Sequence, residues 1–217
     1  MNPFNGLRND YGVIYADPPW QFKLRSEVNL TKSPQGQYPC MSLEDIKALP
    51  VHTLTAPDCV LVLWATAPML PHALEVVQGW GFTFKTAGAW AKRAAAGSEK
   101  WAFGTGYIYR SVCEFWLLGT KGKPVSNSRS IRNLIDAPRR EHSRKPDQMR
   151  VMIQQQFRGP YVELFAREIV EGWDAWGNEL GPSDPLGGVG GDPAPRGPRP
   201  HPGGATAEIP NPPSNED

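Results

Sequence analysis

The sequence predicts an α/β fold built on a doubly wound, mainly parallel sheet, and three observations carry that prediction. Residues 59–65 (CVLVLWA) form an almost continuous apolar run, as expected of a strand buried on both faces of a parallel sheet. A helical pattern follows, framed at its start by Pro68 and Pro71, with Leu70, Leu74 and Val77 on one face and Gly79 and Gly81 at its end. A second strand pattern over 82–90 comes next, and this alternation of strand and helix calls for helices on both faces of the sheet.

The elements can be taken in order. Val13, Ile14 and Tyr15 are β-branched or aromatic and read as a short buried strand that stops at Asp17, because Pro18 and Pro19 cannot continue a ladder. Residues 21–38 are polar and without periodicity, and are expected to form a long loop. Ser42 and Asp45 have capping-box spacing and open a short helix through Leu43, Ile46 and Leu49. After the strand patterns at 59–65 and 82–90, residues 91–107 read as a loop in which Lys92, Arg93 and Lys100 are candidate phosphate contacts. Gly104 and Gly106 make half of a glycine fingerprint, without the strand-to-helix setting a dinucleotide site requires.

Residues 112–118 are again strand-like and are closed by Gly119, whereas 121–136 read as an irregular polar connection. Pro146 suits the first turn of a helix that begins directly after Lys145 and carries Met149, Met152, Ile153 and Phe157 at helical spacing. Residues 161–165 form the last predicted strand, and Trp173 and Trp176 are expected to pack. From 182 to 217 proline and glycine dominate and large apolar groups are few, which cannot offset the entropy of ordering; one domain over 1–181 and a disordered tail are expected.

Composition bounds the function. With 40% hydrophobic and 21% charged residues, the 217-residue chain has the balance of one globular domain, and no apolar run is long enough to cross a bilayer. Residues 1–10 lack the basic start and apolar stretch of a secretory leader. Cys40, Cys59 and Cys113 are scattered and odd in number, so reduced thiols in a cytoplasmic protein are expected and a metal site is not. A net charge of +1 gives no global attraction to nucleic acid. Any such partner would need a local patch, for which Arg139, Arg140, Arg144 and Lys145 are the densest candidate; the alternative is a solvated charged face.

The chemistry concentrates at 17–20. A carboxylate (Asp17), a carbonyl held rigid by flanking prolines (Pro18, Pro19) and an aromatic plate (Trp20) suit a planar ring bearing an exocyclic amine. The ring would stack on Trp20 while Asp17 and the Pro18 carbonyl accept the two N–H bonds. With its protons held aside, the nitrogen lone pair can be aimed at an electrophilic methyl group by positioning and electrostatics. The plain alternative is a strand ending in a Pro-Pro turn with a surface tryptophan.

Asp17-Pro18-Pro19-Trp20 resembles the catalytic motif of the N6-adenine methyltransferases related to the catalytic subunit of the eukaryotic mRNA adenosine methyltransferase, in their compact bacterial and phage form. The segments 142–147 (HSRKPD), 163–167 (ELFAR) and 176–179 (WGNE) match the same family in order, so the resemblance covers residues 11 to about 181. It implies a Rossmann-like methyltransferase sheet in permuted order, with the catalytic motif first and the cofactor strand last, and S-adenosylmethionine as cofactor. It places Lys145 against the cofactor carboxylate, Asp17 also against its amino group, and Arg167, Asn178 and Glu179 around its ribose. The loop 21–38 would cover the site, with Tyr38 approaching the base from above or merely packing at the loop end. Ile169 and Val170 depart from the pattern, standing where the mRNA enzyme has polar residues that help hold the cofactor.

The activity implied is methyl transfer to adenine N6 in nucleic acid, DNA before RNA because the chain is compact and has no obvious RNA module. Single-stranded substrate costs least to present a base outside the stack. Methylation of a glutamine side-chain amide in a protein and a catalytically silent binding subunit are the alternatives. The basic cluster weighs against the former and the intact residues 17–20 against the latter.

Overall fold

The computed structural model describes residues 2–21, 40–104, 106, 108–140 and 144–180; Tyr38, His142 and the segment from 181 onward lie outside these. The strands are β1 (Tyr11–Ala16), β2 (Thr55–Ala65), β3 (Thr83–Arg93), β4 (Cys113–Lys121), β5 (Leu134–Pro138), β6 (Tyr161–Leu164) and β7 (Trp173–Trp176). The helices are α1 (Leu43–Ala48), α2 (Leu70–Gly79) and α3 (Gln148–Gln156), with short 3-10 turns at Val51–Leu54 and Ala67–Met69. One seven-stranded sheet results, in the order β5-β3-β4-β2-β1-β6-β7. β4 runs antiparallel to both neighbours and the other four pairings are parallel.

This is the mainly parallel, Rossmann-like sheet expected, and period-two alternation gives each strand two faces to bury. On one face Ile14, Ala16, Leu61 and Leu63 pack with Ile46 of α1 and with Ala73, Val76 and Val77 of α2. On the other, Val13, Tyr15, Val60, Val62 and Trp64 pack with Met149 and Ile153 of α3. Fully burying a leucine- or valine-sized side chain contributes about 1.5 to 3 kcal/mol, so the central strands with both faces covered form the most stable part of the sheet. The expected order also holds, since β1 comes first in the chain yet lies centrally, between β2 and the late strand β6.

Ser42 caps α1, its Oγ accepting the Asp45 N–H at 3.1 Å, as the spacing predicts. Several boundaries differ from expectation. β3 continues to Arg93, because its last residues are held between β4, which pairs Cys113 with Ala91, and β5, which pairs Pro138 with Arg93. β5 begins inside the segment read as an irregular connection and runs on to Pro138, and its pattern was hard to see because an edge strand buries only Ile135 and Ala137. β7 was unassigned for a similar reason. The buried stripe of α2 is Ala73, Val76 and Val77, while Leu74 is 37% exposed. α3 starts at Gln148 behind Asp147, so Lys145 sits on the segment leading into the helix.

Candidate active site

The carboxyl ends of β1, β2, β3 and β6 and the amino end of antiparallel β4 share one edge of the sheet, where open α/β folds bind ligands. Beneath that edge, on the face covered by α3, lies a floor of buried rings: Tyr15, Trp64, Trp90 and Trp116. The Tyr15 hydroxyl accepts the Trp64 indole N–H at 2.7 Å, and Trp64 meets Trp90 edge to face at 6.3 Å. Gly88 makes room for this layer, since a Cβ there would stand 2.1 Å from the Trp116 ring. Burial pushes the Tyr15 hydroxyl well above the usual phenol range, and the charges of Glu163 and Asp17 push the same way, so it stays neutral.

Two residues beyond each of these rings toward the same edge stand Asp17, Thr66, Lys92 and Glu114. Lys145 joins two of them, its Nζ lying 2.7 Å from Asp17 Oδ2 and 3.2 Å from Glu114 Oε2, and Glu114 also binds Lys92. Burial works against the Lys145 ammonium, but Asp17 and Glu114 outweigh it and hold its pKa above the ordinary lysine value. Burial likewise opposes the Glu114 carboxylate, yet Lys145 and Lys92 keep it below the usual range. Asp17, Lys145, Glu114 and Lys92 therefore form a compact network of alternating acids and bases at the end of β1.

A second network lies beside it. Arg150 grips Glu163 with two bonds, Nε to Oε2 at 2.7 Å and Nη2 to Oε1 at 3.1 Å, while Nη1 reaches Asp147 at 3.1 Å and Glu168 at 3.2 Å. Burial keeps the Glu163 carboxyl above the usual range despite this arginine. Arg144 binds Glu168, and Arg140 binds Asp147. Asp17, Arg144, Lys145, Arg150, Glu163, Phe165, Arg167 and Glu168 line one cleft. Phe165 is the single non-glycine residue with positive φ among the described residues (63°), a conformation costing on the order of 1–3 kcal/mol that is commonly kept at functional sites. Its ring meets Trp176 edge to face at 5.4 Å.

The segment 176–179 closes one side. The Ala166 N–H bonds the Trp176 carbonyl at 2.9 Å, and the next residue must be glycine: a Cβ on Gly177 would lie 2.1 Å from the Ala166 carbonyl oxygen. This close approach brings Glu179 to 3.5 Å from Arg167 Nε, with Asn178 exposed beside it.

The cleft thus brings Asp17, Lys145 and Arg167, expected on the cofactor, together with Arg144, expected on the substrate, while other expectations are corrected. Trp20 is no open plate: it is 5% exposed, packs in the core and donates its indole N–H to the Trp64 carbonyl at 3.0 Å. The carbonyls of the double proline are not left vacant either. Pro18 O accepts the Trp20 N–H and Pro19 O the Met41 N–H, both at 2.9 Å, so a second lone pair on Pro18 is what a ligand could use. The basic cluster is no unopposed patch, because Arg140 and Arg144 are paired with acids; Arg139 is exposed and donates its backbone N–H to the Arg93 carbonyl at 3.0 Å. Lys92 and Arg93 are likewise in ion pairs, with Glu114 and Asp136.

Sequence reasoning missed Glu114, Glu163, Arg150, Glu168 and the floor of Trp64 and Trp90. The signal was present for two of them, since Glu114 and Glu163 are charges inside otherwise apolar strand patterns, and acids are almost never buried unless paired.

The MT-A70 family model matches residues 11–179. The type II methyltransferase M.MunI of a Mycoplasma species is 33% identical over 192 residues, covering 80% of this chain and 79% of its own. Human N(6)-adenine-specific methyltransferase METTL4 is 28% identical over 195 residues, and an Arabidopsis thaliana N(6)-adenosine-methyltransferase MT-A70-like protein 30% identical over 173. The chain spans 39% and 24% of those two longer relatives. With a family match that covers the whole sheet and takes in both charged networks, this chain belongs to the MT-A70 family and is a methyltransferase.

Proposed function

We propose that this protein transfers a methyl group from S-adenosylmethionine to the exocyclic N6 of adenine in nucleic acid, with single-stranded DNA its preferred form, and that residues 1–181 form the catalytic domain. The observation that carries the reading is the junction of Asp17, at the end of β1, with Lys145, ahead of α3, at 2.7 Å in the cleft. The similarity to M.MunI over most of both chains supports DNA over RNA.

The cleft suits the cofactor's amino-acid end and ribose. Its lining carries both signs, so a carboxylate would meet Lys145 or Arg144, whose buried Nε has no hydrogen-bond partner among the described residues, and an ammonium would meet Asp17. Arg167, Asn178 and Glu179 would serve the ribose hydroxyls. The cofactor supplies an activated methyl group. The protein's part is to hold the amine: Lys145 engages Oδ2 of Asp17 and fixes the carboxylate plane, leaving Oδ1 to accept one N–H while the Pro18 carbonyl accepts the other. With both protons drawn to one side, the lone pair is aligned for attack, and fixed charges stabilise the developing cation without reorganisation.

The test is transfer of labelled methyl to single-stranded DNA, duplex DNA, RNA and protein in parallel, followed by nucleoside and amino-acid analysis. N6-methyladenine appearing first in single-stranded DNA is the expected result. Label chiefly in RNA would change the substrate, and label in glutamine or nowhere would overturn the reading.

A further inference from the structure

Thr66 carries a side chain that the networks above do not use. It follows β2 directly with extended φ −77° and ψ 158°, so the alternation that puts Trp64 on the α3 face carries Thr66 to the same face. The antiparallel ladder pairs Ala65 with Phe115, so its next step sets Thr66 beside Glu114; across the sheet, Ala16 pairs with Leu63, so Asp17 and Pro18 flank the same end of β2. The Thr66 hydroxyl is buried and has no hydrogen-bond partner among the described residues.

Its ordinary local use is closed off. A threonine at this position would cap the turn that follows, but Pro68 has no N–H and the Met69 N–H already bonds the Thr66 backbone carbonyl at 2.9 Å. A buried hydroxyl with no partner destabilises the fold, and valine, of the same shape, would avoid that cost. The neighbouring carboxylates Asp17 and Glu114 are already engaged by lysines, leaving Thr66 as a neutral hydroxyl at the same edge. A neutral O–H is suited to an uncharged acceptor, and in adenine the ring nitrogens N1 and N7 flank the amino group that Asp17 and Pro18 are assigned to hold.

We propose that Thr66 is a substrate-positioning residue whose hydroxyl donates a hydrogen bond to a ring nitrogen flanking the adenine amine, fixing the base in its plane. The inference rests on adenine being the substrate. Three contacts would then orient the base, two to the amine and one to the ring, so that its rotation about the amine's C–N axis is stopped.

Thr66→Val and Thr66→Ser are to be compared with the wild type by thermal unfolding, cofactor binding and methyl transfer to single-stranded oligonucleotides containing adenine, 1-deazaadenine or 7-deazaadenine. Thr66→Val is expected to keep or raise the thermal midpoint and leave cofactor affinity unchanged, while kcat/KM on adenine falls about tenfold. Thr66→Ser is expected to restore most of that loss. One deaza analogue should cost the wild type a similar factor and cost Thr66→Val nothing further, which identifies the nitrogen. A lowered midpoint with unchanged kcat/KM would make the hydroxyl structural, and equal losses on both analogues in wild type and Thr66→Val would show that no such bond exists; either overturns the inference. Absence of wild-type transfer to adenine would overturn the underlying reading as well, and is distinguishable because it appears before any substitution.

Discussion

Lys145 reaches across 128 positions of sequence to place its ammonium 2.7 Å from the Asp17 carboxylate, joining the end of the first strand to the entrance of the last helix. Each residue therefore depends on the other for its position. Asp17→Ala is expected to lower kcat/KM by about a hundredfold or more, the scale of losing one preorganised group at a reacting centre. Lys145→Met should do comparable harm, and the double variant should be little worse than the worse single, because the two act as a unit. Steady-state kinetics on all three variants check this; fully additive losses would show that the pair acts independently.

Glu114 makes the same site sensitive to acid. Its folded pKa is held below the ordinary 4.5 by Lys145 and Lys92 in spite of burial, so its contribution to stability is present above about pH 4.5 and is lost as pH falls through the depressed value. Glu114→Gln leaves two neighbouring ammonium groups without their shared carboxylate, and is expected to cost about 3 kcal/mol at neutral pH. Urea unfolding of wild type and variant should show this gap at pH 7 and a narrowing gap below pH 4. A gap that is constant with pH would mean the glutamate contributes by shape rather than charge.

The fold was legible wherever burial imposed a period. β2 is apolar on both faces and was read directly, though its start at Thr55 lies beyond the apolar run. β5 and β7 were not read, because each edge strand buries only alternate residues of a stretch of four or five. At the site, contiguous motifs were readable because neighbouring residues act together. Lys145 and Asp17 were readable for the same reason, yet Glu114 as the second carboxylate was not, since Asp17 and Glu114 are 97 positions apart and meet only through the register of β1, β2 and β4. The direction of a side chain was the weakest inference. Trp20 lies on the segment from which an open aromatic plate was expected, and the sequence gives no sign that its ring turns inward to the Trp64 carbonyl.

That inward turn changes what Trp20 is expected to do. Trp20→Phe removes the 3.0 Å bond to the Trp64 carbonyl and part of a packed ring, so a loss of about 1 to 2 kcal/mol is expected, and Trp20→Ala should lose about 3 to 5 kcal/mol. Denaturant unfolding reads both. If the two variants instead kept wild-type stability and lost only affinity for single-stranded DNA, the ring would be acting on substrate and its core role would be wrong.

Gly177 offers the most local test of the proposed cofactor side of the cleft. The Ala166 N–H bonds the Trp176 carbonyl at 2.9 Å, and a Cβ at 177 would stand 2.1 Å from the Ala166 carbonyl oxygen and 2.7 Å from its nitrogen, distances at which backbone must move. Gly177→Ala should therefore push the 176–179 segment away from β6 and carry Asn178 and Glu179 off the Arg167 side of the cleft. Because Lys145, Asp17 and Glu114 stand on other elements, the disturbance should raise the KM for S-adenosylmethionine several-fold with a much smaller change in kcat. A thermal midpoint lowered by a few degrees should accompany it, since Trp176 also anchors to the Pro3 carbonyl at 2.9 Å. Equilibrium cofactor binding, measured without nucleic acid, separates this from a general loss of fold: weaker binding by a protein with an intact unfolding transition is the expected result. An unchanged affinity with the same loss of stability would place the ribose contacts elsewhere and leave Gly177 a packing residue.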